Sequence, residues 1–114
     1  MIVTVCLACY KNRLASLFDS ATEFQLFRIE DGNFYPAGQL SLPIRDPLGR
    51  ASMLCSCGVN FLLCGAISDA SKKALENSGI QTVPWIRGQI PEILSAWQND
   101  TLSTLAMPGC STDQ

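Results

Sequence analysis

The sequence predicts an α/β domain built on a five-stranded mixed sheet of order 3-2-1-4-5, with only strand 2 antiparallel to the others. Three observations carry this expectation. The chain opens on a β-branched apolar run, an Asp-Gly hairpin signature follows, and strand-length apolar runs then alternate with amphipathic helical stretches. At 114 residues the chain has the length of one domain, for which about 100 to 200 residues is typical. Hydrophobic residues make up 47% and charged residues 16%, a balance that can bury a core and excludes a disordered chain.

Each element has a local reason. Ile2 to Ala8 ends at the polar stretch Tyr10-Lys11-Asn12-Arg13 and fits a central strand buried on both faces. Glu23 to Glu30 and Asn33 to Leu42 flank Asp31-Gly32, and an Asp-Gly pair supplies the positive φ that a two-residue hairpin needs. Pro36 and Pro43 cannot donate to a ladder, which sends the second arm to the sheet edge. Asp46-Pro47 reads as the N-cap and first residue of a helix, with Leu48, Ala51, Leu54 and Cys55 along one face and Gly58 as its stop. Asn60 to Gly65 is a further strand. Ser68 caps a helix from Asp69 to about Ser78, with Ala70, Ala74 and Leu75 inward, Lys72 and Lys73 outward, and Gly79 at its end. Ile80 to Pro84 is the last strand. Gln89 to Gln98 carries Ile90, Ile93, Leu94 and Trp97 on one helical stripe, with Pro91 tolerated in the first turn. The domain is expected over residues 1–102, followed by a flexible C-terminal tail, 103–114, that contains Cys110.

Right-handed crossovers place the fourth strand beside the first. The chain therefore leaves the first strand toward one side and returns on the other, which opens a crevice at the carboxyl ends of strands one and four. Ligands of open α/β sheets bind at such a switch point. The loops expected to line it are Cys9 to Ala21 and Gly65 to Ser68.

Composition removes whole function classes. Eight basic and ten acidic residues give a net charge of −2, and no Lys/Arg block is present, so nucleic acid is not an expected partner. No apolar run approaches the roughly 20 residues of a membrane span. At the N-terminus Lys11 and Arg13 follow the apolar run where a secretory signal would place its charge first. A cytoplasmic setting is expected, with thiols kept reduced. Six cysteines stand beside no histidine at all, which excludes Ser-His-Asp and Cys-His catalysis and mixed Cys/His zinc fingers. Any metal held by side chains would be held by thiolate or carboxylate.

Cys6 and Cys9 match C-x-x-C, but strand residues three apart face opposite ways and lie about 10 Å apart. Cys6 reads as a small core residue, and so does Cys55; Cys57 reads as exposed. Cys9 and Cys64 sit at the carboxyl ends of strands expected to be neighbours about 4.8 Å apart, and Cys110 could swing over the same opening. Three thiolates without histidine suit a soft metal or an iron–sulfur-type cluster. The competing reading keeps Cys64 in the core and leaves Cys110 a stray surface thiol. Arg13 and Arg87, in loops at the same end of the sheet, could hold an anionic ligand, the competing reading being solvated surface arginines, and the Gly65, Ala66, Ile67, Ser68 turn could add backbone N–H groups. Asp19, Asp46 and Asp69 read as caps.

Leu17-Phe18-Asp19-Ser20-Ala21-Thr22-Glu23-Phe24, the hairpin Ile29-Glu30-Asp31-Gly32, Leu63-Cys64-Gly65-Ala66-Ile67-Ser68, Ala74 to Ile80 and the last helix together carry a resemblance. From Met1 to about Leu102 the chain is similar to the dinitrogenase iron-molybdenum cofactor-binding family, the nitrogenase accessory factors. It departs from the pattern at Leu17, where relatives often have His, and at Asp46-Pro47-Leu48-Gly49, where they have a Gly-rich stretch. The resemblance implies a ribonuclease H-like motif in three α/β/α layers with the strand order argued above. It also implies a non-catalytic carrier or scaffold for a molybdenum- or iron-containing sulfide cluster, or its precursor, working with cofactor-assembly proteins. On this reading Cys9, Cys64 and Cys110 are the candidate metal ligands. The alternatives are a thiol oxidoreductase using Cys6 and Cys9, or an interaction module without a ligand.

Overall fold

A computed structural model describes residues 2–42, 46–99 and 105. Nine elements follow in order: β1 (Ile2–Tyr10), β2 (Arg13–Leu14), β3 (Glu23–Glu30), β4 (Asn33–Ser41), α1 (Pro47–Ser56), β5 (Phe61–Leu63), α2 (Asp69–Asn77), β6 (Gln81–Val83) and α3 (Ile90–Gln98), with a single 3-10 turn at Phe18–Ser20. The sheet order is β4-β3-β1-β5-β6. β3 is antiparallel to both neighbours, while β1, β5 and β6 run parallel. This is the expected order with one addition: the two-residue β2 folds back on the end of β1 through a turn at Lys11, φ 57. A strand that short carries no alternation for a sequence to display.

The Asp31-Gly32 turn joins β3 to β4 with φ of 53 and 79. Nothing lies within 4 Å of a Cβ built on Gly32, so Gly32→Ala tests backbone strain alone. It is expected to cost about 1 kcal/mol, read by thermal denaturation. β4 forms the edge, and its register slips where Leu26 faces Gly38 and Phe27 faces Pro36. Pro36 is thus accommodated at an edge bulge; Pro43 lies outside the described residues.

The pleat divides the core in two. Cys6, Ala8, Phe24, Leu26, Leu62 and Cys64 face Ala51 and Leu54 of α1 and Ala74 and Leu75 of α2. Val5, Leu7, Cys9 and Leu63 face Ile90 and Ile93 of α3. The result is three layers, α/β/α. Asp46 caps α1 by accepting from the Gly49 N–H at 2.9 Å, and Gln89 and Glu92 form a capping box on α3. Trp97 meets Phe61 edge-on at 5.1 Å.

Two helix faces turn differently from expectation. In α1 the buried residues are Arg50, Ala51 and Leu54, while Leu48 is 71% exposed and Cys55 is exposed, its thiol donating to the Ser78 carbonyl at 3.5 Å. Arg50 takes an inner place because its guanidinium donates to the Phe18 carbonyl at 2.8 Å and lies over the Phe18 and Phe24 rings. In α2 Ser71 is buried and Ala70 exposed. No helix among the described residues is long and apolar enough to cross a membrane.

Candidate functional site at the sheet switch point

The switch point lies where predicted, beyond the carboxyl ends of β1 and β5. Two clefts open there. One, of roughly 700 Å³, is walled by the β1–β2 hairpin (Cys9, Tyr10, Lys11, Arg13, Leu14) and by the segment from Ala15 to Glu23. The second, of roughly 410 Å³, is lined by Arg13, Arg87, Gly88, Gln89, Glu92 and Leu105. Arg13 lines both. The hairpin reaches that position because the Leu14 N–H donates to Gly88 O and the Ile90 N–H to Asn12 O, both at 2.9 Å, with Arg13 bridged to Gln89.

Arg13 and Arg87 thus meet at one cleft beside the N-terminus of α3. Both are exposed, and the ion pair among the described residues joins Arg28 to Glu30, not either of these. Glu92, which shares the cleft, turns its carboxylate to the Gln89 N–H at 3.3 Å. The Arg87 N–H donates to Leu105 O at 3.0 Å, and Leu105 packs against the α3-side core. One residue of the segment expected as a tail is therefore held at the site. Trp85, in the same loop, has φ 65, and hydrogen bonds from Trp85 N–H to Gly65 O (2.8 Å) and Ile86 N–H to Cys64 O (3.1 Å) hold this strained backbone.

Cys9 and Cys64 do not converge. Register pairs Cys6 with Leu62 and Leu7 with Leu63, so Ala8 falls beside Cys64 and Cys9 lies one residue further along, on the opposite face. Cys64 is fully buried toward α1 and α2, whereas Cys9 is buried toward α3 and borders the larger cleft. Burial pushes the Cys64 thiol up to about 12, with the Asp19 carboxylate adding to the effect. Burial also raises Cys9 to about 11, and its Sγ–H donates to Leu7 O at 3.1 Å. Cys6, buried on the Cys64 side, is raised further by desolvation. At neutral pH all three are protonated, which disfavours thiolate ligation and thiol redox chemistry alike. Cys6 and Cys9 face opposite sides of the sheet and cannot pair. Cys110 lies outside the described residues, and among the described residues no group of three or more His, Cys, Asp or Glu stands ready for a metal ion.

The Gly65–Ser68 turn is engaged by the chain itself. The Ala66 N–H donates to Ser16 O at 2.8 Å, and the Ser68 N–H donates to an Asp19 carboxylate oxygen at 2.9 Å. The Ser68 hydroxyl donates to the other Asp19 oxygen at 2.8 Å, the Ser71 hydroxyl donates to the same atom, and Ile67 is core. Asp19 is thus a cap, as its position suggested, but of a helix 49 residues away. Desolvation opposes its charge, yet the Ser71 and Ser68 hydroxyls and the Ser68 N–H outweigh it and hold the carboxyl below its ordinary value. Arg50 and this network were invisible as a site in the sequence. Their only signal was polar residues at inward helical positions.

Comparison with known proteins agrees with this architecture. PH0822 superposes with a TM-score of 0.81 at 16% identity, covering 88% of this chain and 94% of that one. A candidate dinitrogenase from Methanocaldococcus jannaschii gives 0.68 at 19% identity, covering 90% and 94%. The apo form of the orange protein from Desulfovibrio gigas gives 0.69 at 13% identity, covering 95% and 94%. At these identities the likeness establishes the fold. No curated protein matches the sequence. The profile of the family described as "Dinitrogenase iron-molybdenum cofactor" matches residues 1–100, and the chain belongs to that family.

Proposed function

We propose that this protein is a carrier, not an enzyme, for an anionic metal–sulfur cargo: a molybdenum- or iron-containing sulfide cluster or its precursor, handed on during cofactor assembly. The observation that carries the reading is the pair Arg13 and Arg87, brought from opposite ends of the chain to one cleft with no carboxylate paired to either among the described residues. A sulfide cluster of net negative charge needs fixed positive charge and N–H donors, and two guanidinium groups next to a helix N-terminus supply both. Membership in the family directs the choice of anion toward a molybdenum or iron species.

The residues fit cargo held by charge better than cargo held by thiolates. Of the three cysteines first considered as ligands, Cys9 borders the cleft that shares Arg13, Cys64 is sealed under α1 and α2, and Cys110 is outside the described residues. Cys9, buried and protonated as it stands, would have to be uncovered and deprotonated to add a sulfur contact to bound cargo.

Anaerobic titration with tetrathiomolybdate, followed by visible absorption and calorimetry, tests the reading. The wild-type chain is expected to bind and to weaken steeply with salt. Arg13→Gln with Arg87→Gln is expected to lower affinity about tenfold or more, each charge-assisted contact being worth about 1.5 kcal/mol or more. A protein that takes up neither tetrathiomolybdate nor iron sulfide would sink the proposal. Equal affinity in the double variant would remove the arginines from it.

A further inference from the structure

The segment between β2 and β3 forms one whole wall of the larger cleft, tied to the sheet at its start by the Ala15 N–H to Ala8 O bond and by an isolated bridge from Leu17 to Ala66. Two helices hold it. Arg50 of α1 grips the Phe18 carbonyl and stacks on the Phe18 ring, and Phe18 is fully buried. α2 holds the next residue: Asp19 receives the Ser68 amide and the hydroxyls of Ser68 and Ser71. Beyond Asp19 the chain runs through Ser20, Ala21 and Thr22, all bordering the cleft, until the Leu42 N–H reaches Thr22 O at 2.8 Å. Cys9 stands on the opposite wall, only 4% exposed.

We infer that Asp19 is a positioning residue that latches the Ser16–Thr22 wall to α2, so that access to the cleft and to Cys9 depends on its three hydrogen bonds. This deepens the carrier reading by naming a control on the same site. Asp19 does not border the cleft, so it acts through the wall and not on the cargo. The α2 N-terminus would otherwise attract an outside anion; the chain's own carboxylate already occupies it. Without that carboxylate, Phe18 and the Ala66 bridge hold the start of the wall and the Leu42 N–H holds Thr22, while the stretch around Ser20 loses its tether to α2 and loosens.

The buried thiols provide a reading of this motion that needs no cargo. In a Cys55→Ser, Cys57→Ser, Cys110→Ser background, alkylation by N-ethylmaleimide is followed at Cys6, Cys9 and Cys64 by peptide mass spectrometry. Cys64 lies in the same half of the core as Phe18 and Ala21 of the wall and feels the Asp19 carboxylate, so with Cys9 it reports loosening of the wall; Cys6, further back along β1, reports global opening. With Asp19→Ala, Cys9 and Cys64 are expected to react about tenfold faster or more, with Cys6 changed far less. Ser71→Ala, which removes one hydrogen bond, is expected to give a smaller change in the same direction and guards against a poorly folded Asp19 variant. Unchanged rates at Cys9 and Cys64 overturn the latch, and so does a parallel rise at all three thiols, which would mean destabilisation alone. If wild-type protein binds tetrathiomolybdate, Asp19→Ala should also speed its release. If it does not, the carrier reading fails while the labelling still decides the latch.

Discussion

Phe18→Ala is expected to remove about 4 kcal/mol of folding stability, the middle of the range for truncating a buried aromatic. Phe18 is fully buried, its ring meets Phe24 at 5.8 Å and 66°, and the Arg50 guanidinium lies 5.3 Å from its centre. Truncation deletes the transfer energy of the ring, leaves a void that α1 and the sheet cannot close, and strips Arg50 of a face on which its charge is buried. Denaturant unfolding reads the loss, and for a domain of this size Tm should fall by roughly 15 °C or more. Phe34 on the edge strand, half-buried and paired edge-on with Phe27 at 6.4 Å, is the comparison: Phe34→Ala should cost clearly less. Similar costs at the two positions would show that the wall segment is not anchored through Phe18.

Asp19→Asn is expected to cost about 2 kcal/mol at neutral pH, the scale of hydrogen bonds made to a charged acceptor. The direction with pH follows from the lowered folded-state value. A carboxyl whose folded value is depressed contributes its full stabilisation above the unfolded value, about 4, and loses it as pH falls through the folded one. The difference between wild type and variant should hold from neutral pH to about pH 5, then shrink progressively toward pH 2. Urea midpoints across that interval check it. A difference that stays constant down to pH 2 would assign the effect to shape instead of charge.

Much of the fold was legible because its signals are local. Asp31-Gly32 demanded a hairpin, Asp46 and Ser68 demanded helix starts, and Pro36 demanded an edge; each rests on the chemistry of a few neighbouring residues. Strand order followed from crossover handedness. The α1 face departs from the expected stripe at Leu48 and Cys55, which are exposed, because a helical stripe gives the period of burial but not how wide a neighbour covers it. From their loops alone Arg13 and Arg87 could be an anion-holding pair or solvated surface residues; the docking of the β1–β2 hairpin on Gly88 brings them to one cleft.

The cysteines mark the boundary between the two kinds of information. Sequence by itself determined that Cys6 and Cys9 face opposite sides of a strand, since the side-chain period of two is a property of the backbone. It could not determine which face Cys64 shares with them, because that depends on the register between β1 and β5, and a slip of one residue would have exchanged the faces. In the same way Asp19 was identifiable as a cap, but only tertiary packing selected the helix it caps. Register and long-range hydrogen bonds are settled by which surfaces bury one another, and the relevant partners here are separated by about half the chain.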